Sequence, residues 1–224
     1  MPIFLLTDDL IFPPVHLADA EGLLAVGGDL STERLLLAYQ SGIFPWYSEG
    51  DPILWWAPDP RLILKPDAII ISRSLRKTMR KGRYKVTRDT NFRHTINACA
   101  QIPRKSGPGT WITPEMASAY TRLHQMGYAH SFETWCADEI VGGLYGVSLG
   151  RCFFGESMYS VMADASKVAL AALASFAQDN HFDFIDCQLP TDHLKSLGAW
   201  EISREDFMLR LTLTLQYPTL KGHW

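Results

Sequence analysis

Two short stretches put carboxylates among apolar side chains. Phe153-Phe154-Gly155-Glu156-Ser157-Met158-Tyr159-Ser160 runs from paired phenylalanines into Glu156, and Phe184-Ile185-Asp186-Cys187-Gln188 ends an apolar run in Asp186 and an amide. Each reads as the end of a buried strand. A carboxylate in such company must be paired, hydrogen-bonded or shifted in pKa, because an unpaired buried charge is costly. A plain strand end, with Glu156 turned to water, would account for the first stretch alone. The second stretch argues instead for a polar site with apolar walls. Side-chain alternation predicts Asp186 and Gln188 on one face of a strand and Cys187 on the other, which argues against Cys187 as a nucleophile. The absence of a Ser-His-Asp set argues against a covalent serine intermediate.

The elements that must position these groups follow from periodicity. Thr113 with Pro114 opens a helix that carries Met116, Tyr120 and Leu123 and stops at Gly127. The period then switches to two. Ser131 to Trp135 alternates, Ala137-Asp138-Glu139 turns, Ile140 to Leu149 forms a second strand, and Gly150-Arg151 turns into the Phe153 strand. Asp164-Ala165-Ser166 starts an Ala/Leu-rich helix to about Ala177, the Asp186 strand follows, and two short helices flank Trp200-Glu201-Ile202. Ile69-Ile70-Ile71 reads as a short buried strand and residues 103–110 as a loop. The order predicts an α+β domain around a central, mostly antiparallel sheet.

The first 60 residues read as a smaller unit. Gly27-Gly28-Asp29-Leu30-Ser31 is a turn whose Asp29 or Ser31 caps a helix, with Glu33 in its first turn, a Leu35-Leu36-Tyr39 stripe, and Gly42 as its stop. Five aromatics follow between Phe44 and Trp56, broken by prolines, a pattern that suits neither helix nor central strand. Trp55 and Trp56 read as packing between domains. Trp46, beside Pro45, is poised between packing and a stacking platform for a flat ligand. Pro58-Asp59-Pro60 marks the boundary, giving domains of 1–60 and 61–224.

The 224 residues are 47% hydrophobic and 20% charged, with a net charge of −3 that is unevenly spread. From Arg73 to Arg88 there are eight Lys or Arg and no acid. A helix begun at Ser72 or Ser74 puts Arg73, Arg76, Lys77, Arg80 and Lys81 on one arc, with Leu75 and Met79 facing the core. A charge run is often only a solvated helix face. Eight bases without one acid point instead to an anionic partner, nucleic acid foremost. No apolar run is long enough to span a membrane, and the N-terminus lacks the basic segment and cleavage site of a signal peptide. Cys99, Cys136, Cys152 and Cys187 stand singly, and His124 and His130 lie six apart. Reduced thiols in a cytoplasmic protein without a metal or cofactor are the expectation.

Taken together, Gly27-Gly28-Asp29-Leu30, Gly42-Ile43-Phe44-Pro45-Trp46, Ile53-Leu54-Trp55-Trp56, Gly109-Thr110-Trp111-Ile112-Thr113, Gly155-Glu156-Ser157-Met158 and Asp186-Cys187-Gln188 resemble the leucyl/phenylalanyl-tRNA–protein transferase family. The motifs run in family order over nearly the whole chain. The resemblance implies a small N-terminal domain joined to an acetyltransferase-like (GNAT) domain. It also implies transfer of leucine or phenylalanine, with methionine as a further candidate, from aminoacyl-tRNA to proteins beginning with Lys or Arg. Such transfer marks the acceptor for degradation under the N-end rule. The partners implied are leucyl-tRNA, phenylalanyl-tRNA and those acceptor proteins, and the expected state is a monomer without cofactor. Trp46 and Trp111 would hold the 3′-terminal adenosine, and Leu144, Phe153 and Met158 would line the side-chain pocket. Arg73, Lys77, Arg80 and Lys81 would contact the acceptor stem. Asp186 and Gln188 would act at the ester, with Glu156 near the acceptor peptide. Leu144 stands where the family has Met, and Thr191 where it more often has Asn.

The chemistry is undemanding. Aminolysis of an aminoacyl ester needs a neutral amine, a held carbonyl and a proton for the departing ribose hydroxyl. With an α-amino pKa of about 8, roughly a tenth of the acceptor is neutral at pH 7, so positioning can supply much of the rate. Gln188 can accept a hydrogen bond from the amine, while Asp186 can orient Gln188, take a proton or face a substrate charge. Two rivals fit less well. A CoA-dependent acetyltransferase needs a glycine-rich pyrophosphate loop, where this chain has Val161-Met162-Ala163-Asp164-Ala165-Ser166. A non-catalytic tRNA-binding protein leaves Glu156, Asp186 and Gln188 without a purpose.

Overall fold

The computed structural model describes residues 3–102 and 111–224. The loop expected at 103–110, with Gly109-Thr110 of one motif, lies outside them. A four-stranded sheet is built from β1 (Phe4–Leu6), β2 (Leu23–Gly27), β3 (Phe44–Pro45) and β4 (Leu54–Trp56), in the order β1-β2-β4-β3. Helix α1 (Thr32–Gln40) packs on it, capped by Ser31, whose side chain accepts from Arg34 N. The glycine pair before it has a defined purpose. Both residues have positive φ, and a Cβ on Gly28 would meet the Arg34 guanidinium at 3.2 Å. Arg34 is wholly buried and latches the turn, through Nε to Asp29 Oδ2 (3.2 Å) and Nη2 to Thr7 O (2.8 Å). The aromatic stretch does form a central strand, contrary to its proline content. Pro52 precedes β4 and Pro45 lies in the edge strand β3, so neither interrupts β4, and Trp55 is fully buried with Nε1 donating to Gly27 O (2.8 Å).

The rest of the chain forms β5 (Arg61–Leu64), α2 (Arg73–Arg80), β6 (Tyr84–Arg88), α3 (Phe92–Gln101), α4 (Pro114–Gln125), β7 (Ala129–Cys136), β8 (Glu139–Leu149), β9 (Cys152–Ser160), α5 (Ala165–Asp179), β10 (Phe184–Gln188), α6 (Asp192–Ser196), β11 (Trp200–Ile202) and α7 (Arg204–Thr214). Its seven-stranded sheet runs β11-β5-β10-β9-β8-β7-β6. Every neighbouring pair is antiparallel except β9 and β10, which are parallel and joined by α5. This is the mostly antiparallel α+β arrangement expected of the larger domain. The β7-β8-β9 meander and the α4 and α5 starts are also as expected. Within this domain β5, β6 and α3 were not expected from the sequence. The strand expected at Ile69-Ile70-Ile71 is instead irregular, with Ile70 exposed, and β5 takes the sheet position. Burial separates the two: all four β5 residues are buried, between β10 and β11.

One hydrophobic cluster joins Leu24, Tyr39 and Trp55 to Ile63, Tyr145 and Phe154, while a second lies under α5 on the opposite sheet face. The inner strand β8 is therefore covered on both sides, and its last nine residues are buried. Its glycines admit the layers above it: a Cβ on Gly142 would meet Ala165 Cβ at 2.6 Å, and one on Gly146 would meet the Phe153 ring at 2.6 Å. No helix of the described residues is long and apolar enough to cross a membrane.

Candidate active site

The site forms where the two parallel strands part. Pairing of β9 with β10 runs from Phe184↔Cys152 to Asp186↔Phe154 and stops there. Both strands then bulge. On β9, Tyr145 faces Ser157 and Gly146 faces Gly155, so Glu156 is the extra residue; on β10, Asp186 and Gln188 face consecutive β5 residues, leaving Cys187 extra. Bulges bend a strand and re-aim its side chains. Here they open a cleft that a side-chain bond spans: Gln188 Nε2 donates to Glu156 Oε1 (3.2 Å). Thus β9 does not end at Glu156, as its sequence suggested, but kinks there and continues to Ser160.

The bulge also separates Asp186 from Gln188, which regular alternation would have put side by side. Asp186 is fully buried and turned toward β5. Arg61 Nε donates to its Oδ1 (2.9 Å) and Nη2 to its Oδ2 (2.7 Å), in a two-pronged pair. The guanidinium lies between the Phe44 and Phe207 rings, 4.8 and 4.5 Å from their centroids. Asp186 Oδ1 accepts a further bond from Gln188 N (3.0 Å). Gln188 has a φ of 55°, in a left-handed region that side chains rarely adopt. Both oxygens of this carboxylate are thus engaged, by Arg61 and by the Gln188 backbone at the bulge. Cys187, expected on the far face, reaches the cleft because of the extra residue. Burial raises its thiol far above the ordinary range, which disfavours the reactive thiolate.

Glu156 is the carboxylate that faces the cleft. Tyr120 donates to its Oε2 (2.9 Å) and shares a short hydroxyl–hydroxyl bond with Tyr39. Desolvation by the surrounding walls pushes the Glu156 pKa up to about 7, opposed by the Tyr39 and Tyr120 hydroxyls; Asp186 adds to the rise and Arg61 offsets it. Burial and the neighbouring Glu156 charge hold both tyrosines well above their usual range. Neither tyrosine nor Arg61 stood out in the sequence. Tyr39 and Tyr120 lie at core positions of amphipathic helices, where an aromatic is ordinary.

Two chambers meet at this carboxylate. The apolar one, about 130 Å³, brings Leu144, Phe153 and Met158 together with Leu170 and Leu173 of α5. The other, about 220 Å³, is walled by Trp46, Trp111 and Thr191. Glu156, Cys187, Gln188 and Leu194 line both. Trp46 is 40% exposed and rests edge-on against Trp56, ring centroids 5.6 Å apart, so its outer face is open to a ligand. Thr191 caps α6, accepting from Leu194 N (3.2 Å), a duty that an Asn also performs.

Helix α2 presents Arg73, Arg76, Lys77, Arg80 and Lys81 around an open groove of about 690 Å³. Among the described residues none of the five pairs with an acid. Leu75 is buried, but Met79, expected in the core, is 40% exposed. Of the eight residues of α2, only Leu75 is buried. Thr78 ties α2 to the start of α5 through Asp164 Oδ2 (3.3 Å), the position where a pyrophosphate loop would lie in an acetyltransferase.

A family profile described as leucyl/phenylalanyl-tRNA protein transferase matches residues 63–212, and that family's N-terminal domain profile matches 28–59. A protein of Desulforapulum autotrophicum named leucyl/phenylalanyl-tRNA–protein transferase is 56% identical over 224 residues, covering 100% of this chain and 98% of its own. Relatives of the same name from Myxococcus xanthus and Legionella pneumophila (strain Paris) are 54% and 56% identical, covering 100% and 96% of this chain and 97% and 96% of theirs. Among solved structures, L-PGS from Bacillus licheniformis is similar at a TM-score of 0.41 and 12% identity, over 75% of this chain and 54% of that one.

Proposed function

Because the chain belongs to the leucyl/phenylalanyl-tRNA–protein transferase family, we propose that the two chambers receive the two halves of an aminoacyl-tRNA 3′ end. The protein is an aminoacyltransferase that moves an amino acid from tRNA to a protein N-terminus. Trp46 and Trp111 hold the terminal adenosine, and Leu144, Phe153 and Met158 take the leucine or phenylalanine side chain, with methionine a further candidate. The observation that carries this reading is the Glu156–Gln188 bridge where the chambers join. An ester between ribose and amino acid would lie against it.

The acceptor is a protein with N-terminal Lys or Arg, and the product is marked for N-end-rule degradation in the cytoplasm, where charged tRNA is found. As the new C–N bond forms and the ester C–O bond breaks, the amine loses a proton and the ribose oxygen gains one. Glu156, with a pKa of about 7, is suited to take the first and return the second. The Gln188 amide nitrogen is committed to Glu156, so its carbonyl oxygen is the end available to the amine. Asp186 keeps Gln188 in place. Residues 1–60 serve as the unit that contributes Trp46, the enzyme works as a monomer, and no cofactor enters the scheme. Incubating labelled leucyl-tRNA with an Arg-terminal model protein tests the reading directly. Transfer of label to the protein supports it, and release of free leucine alone would refute it.

Two further results are expected. Replacing Lys77, Arg80 and Lys81 together by Ala should weaken tRNA binding and flatten its log–log salt slope by about 0.7–0.9 per lost phosphate contact. Turnover of a minimal aminoacyl-adenosine should survive, and unchanged tRNA affinity would exclude α2 from the interface. Trp46→Ala and Trp111→Ala should each raise the KM even for that minimal donor, since stacking on a base is worth about 1–3 kcal/mol. Packing residues would instead lower the melting temperature and leave KM intact.

A further inference from the structure

The segment after α7 reaches the back of the apolar chamber. It is fastened along the sheet: Gly150 N donates to Thr219 Oγ1 (2.9 Å), and Lys221 Nζ lies 4.2 Å from the Tyr128 ring centroid. Gly222 passes so near Gly127 that a Cβ there would meet Gly222 N at 2.5 Å. Trp224 closes the segment against the sheet and α5. Its backbone N donates to Asp89 Oδ2 (3.0 Å), which also contacts His130 Nδ1 (2.8 Å), and its indole lies flat on the His130 ring, centroids 3.6 Å apart at 7°. The indole is ringed by Phe176 at 4.6 Å, Phe182 at 5.8 Å, Phe153 at 5.9 Å and Phe132 at 6.2 Å.

Phe153 is the link to function. It is fully buried, lines the apolar chamber, and lies directly over Gly146, where a Cβ would meet its ring at 2.6 Å. With the chamber on one side, strand backbone beneath and Trp224 nearby, the ring has little room to retreat. Interiors are packed to the density of organic crystals, so one side chain's position is set by those around it.

We propose that Trp224 sets the depth of the aminoacyl side-chain pocket by bracing Phe153. It is a positioning residue for donor selectivity, acting through Phe153, and the proposal rests on the pocket assignment above. Removing the indole leaves a void into which Phe153 and Phe176 relax in part. The pocket then deepens, which favours the larger donor side chain over leucine.

The test compares kcat/KM for phenylalanyl-tRNA and leucyl-tRNA donors in the full chain, in Trp224→Ala and in Trp224→Phe. The Phe/Leu ratio should rise by roughly tenfold in Trp224→Ala, the scale of a one-methylene change in such a pocket. Trp224→Phe, which refills part of the void, should return most of the way. A merely structural role lowers both donors together and leaves the ratio unmoved. Phe153→Ala run alongside separates the two assignments. If it shifts the ratio while folded Trp224→Ala does not, the brace is overturned and the pocket stands. If neither shifts it, both fall. Should Trp224→Ala fail to fold, the same ratio in Trp224→Leu decides the matter.

Discussion

Truncating Arg61 or Asp186 to Ala should destabilise the protein by about 3–5 kcal/mol, because each leaves its partner as an uncompensated buried charge. The pair is two-pronged, at 2.9 and 2.7 Å, and both side chains are almost without solvent contact. Replacing both at once, as Arg61→Met with Asp186→Leu, should recover most of that stability, since an apolar pair of similar volume carries no desolvation cost. Activity should not recover with it. Gln188 N loses its bond to Asp186 Oδ1, and the left-handed backbone at Gln188 loses its support. Thermal melts and kcat measured on the same preparations therefore separate the two duties. A double variant with parental kcat would show that Asp186 does not hold Gln188 for the reaction. Asp186→Asn keeps the shape without the charge, and near-normal turnover in it would exclude Asp186 as a proton acceptor.

Glu156→Gln should lower kcat by about 10²–10⁴-fold, the usual share of a proton-transferring side chain. The Gln keeps a bond to Tyr120 or Gln188 but can neither take up nor return a proton, so substrate KM should change far less than kcat. A near-parental kcat in folded Glu156→Gln would remove Glu156 from the chemistry. Stability offers an independent check with a definite sign. The Glu156 pKa is raised from the ordinary 4.5 to about 7 in the folded protein. Between those values the unfolded chain has lost the proton while the folded one keeps it. The unfolded state then binds fewer protons, and stability falls as pH rises through that window. Glu156→Gln lacks this loss. Its stability relative to the parent should therefore improve from pH 4.5 to 7 and level off above, and a difference that does not move with pH would contradict the shift.

How much of this was written in the sequence differs from element to element, and for physical reasons. Local signals proved dependable: Ser31, Ser72 and Thr113 cap the helices they precede, and the period-two run from Ser131 produces the β7–β9 meander. Caps and alternation depend on a few neighbouring residues, so they survive whatever the fold does around them. The residues able to form a polar site with apolar walls were legible too, because Glu156, Asp186 and Gln188 violate the pattern of their own strands. Their division of labour was not. It turns on two bulges, which depend on cross-strand register and cannot be read from one strand's alternation. The extra residue at Cys187 parts Gln188 from Asp186, which pairs instead with Arg61, 125 positions away in the chain, while Glu156 faces the cleft. Arg61, Tyr39, Tyr120 and Trp224 carry no local mark at all. What each does follows from the partner that distant sequence packs against it, and only the tertiary structure decides that.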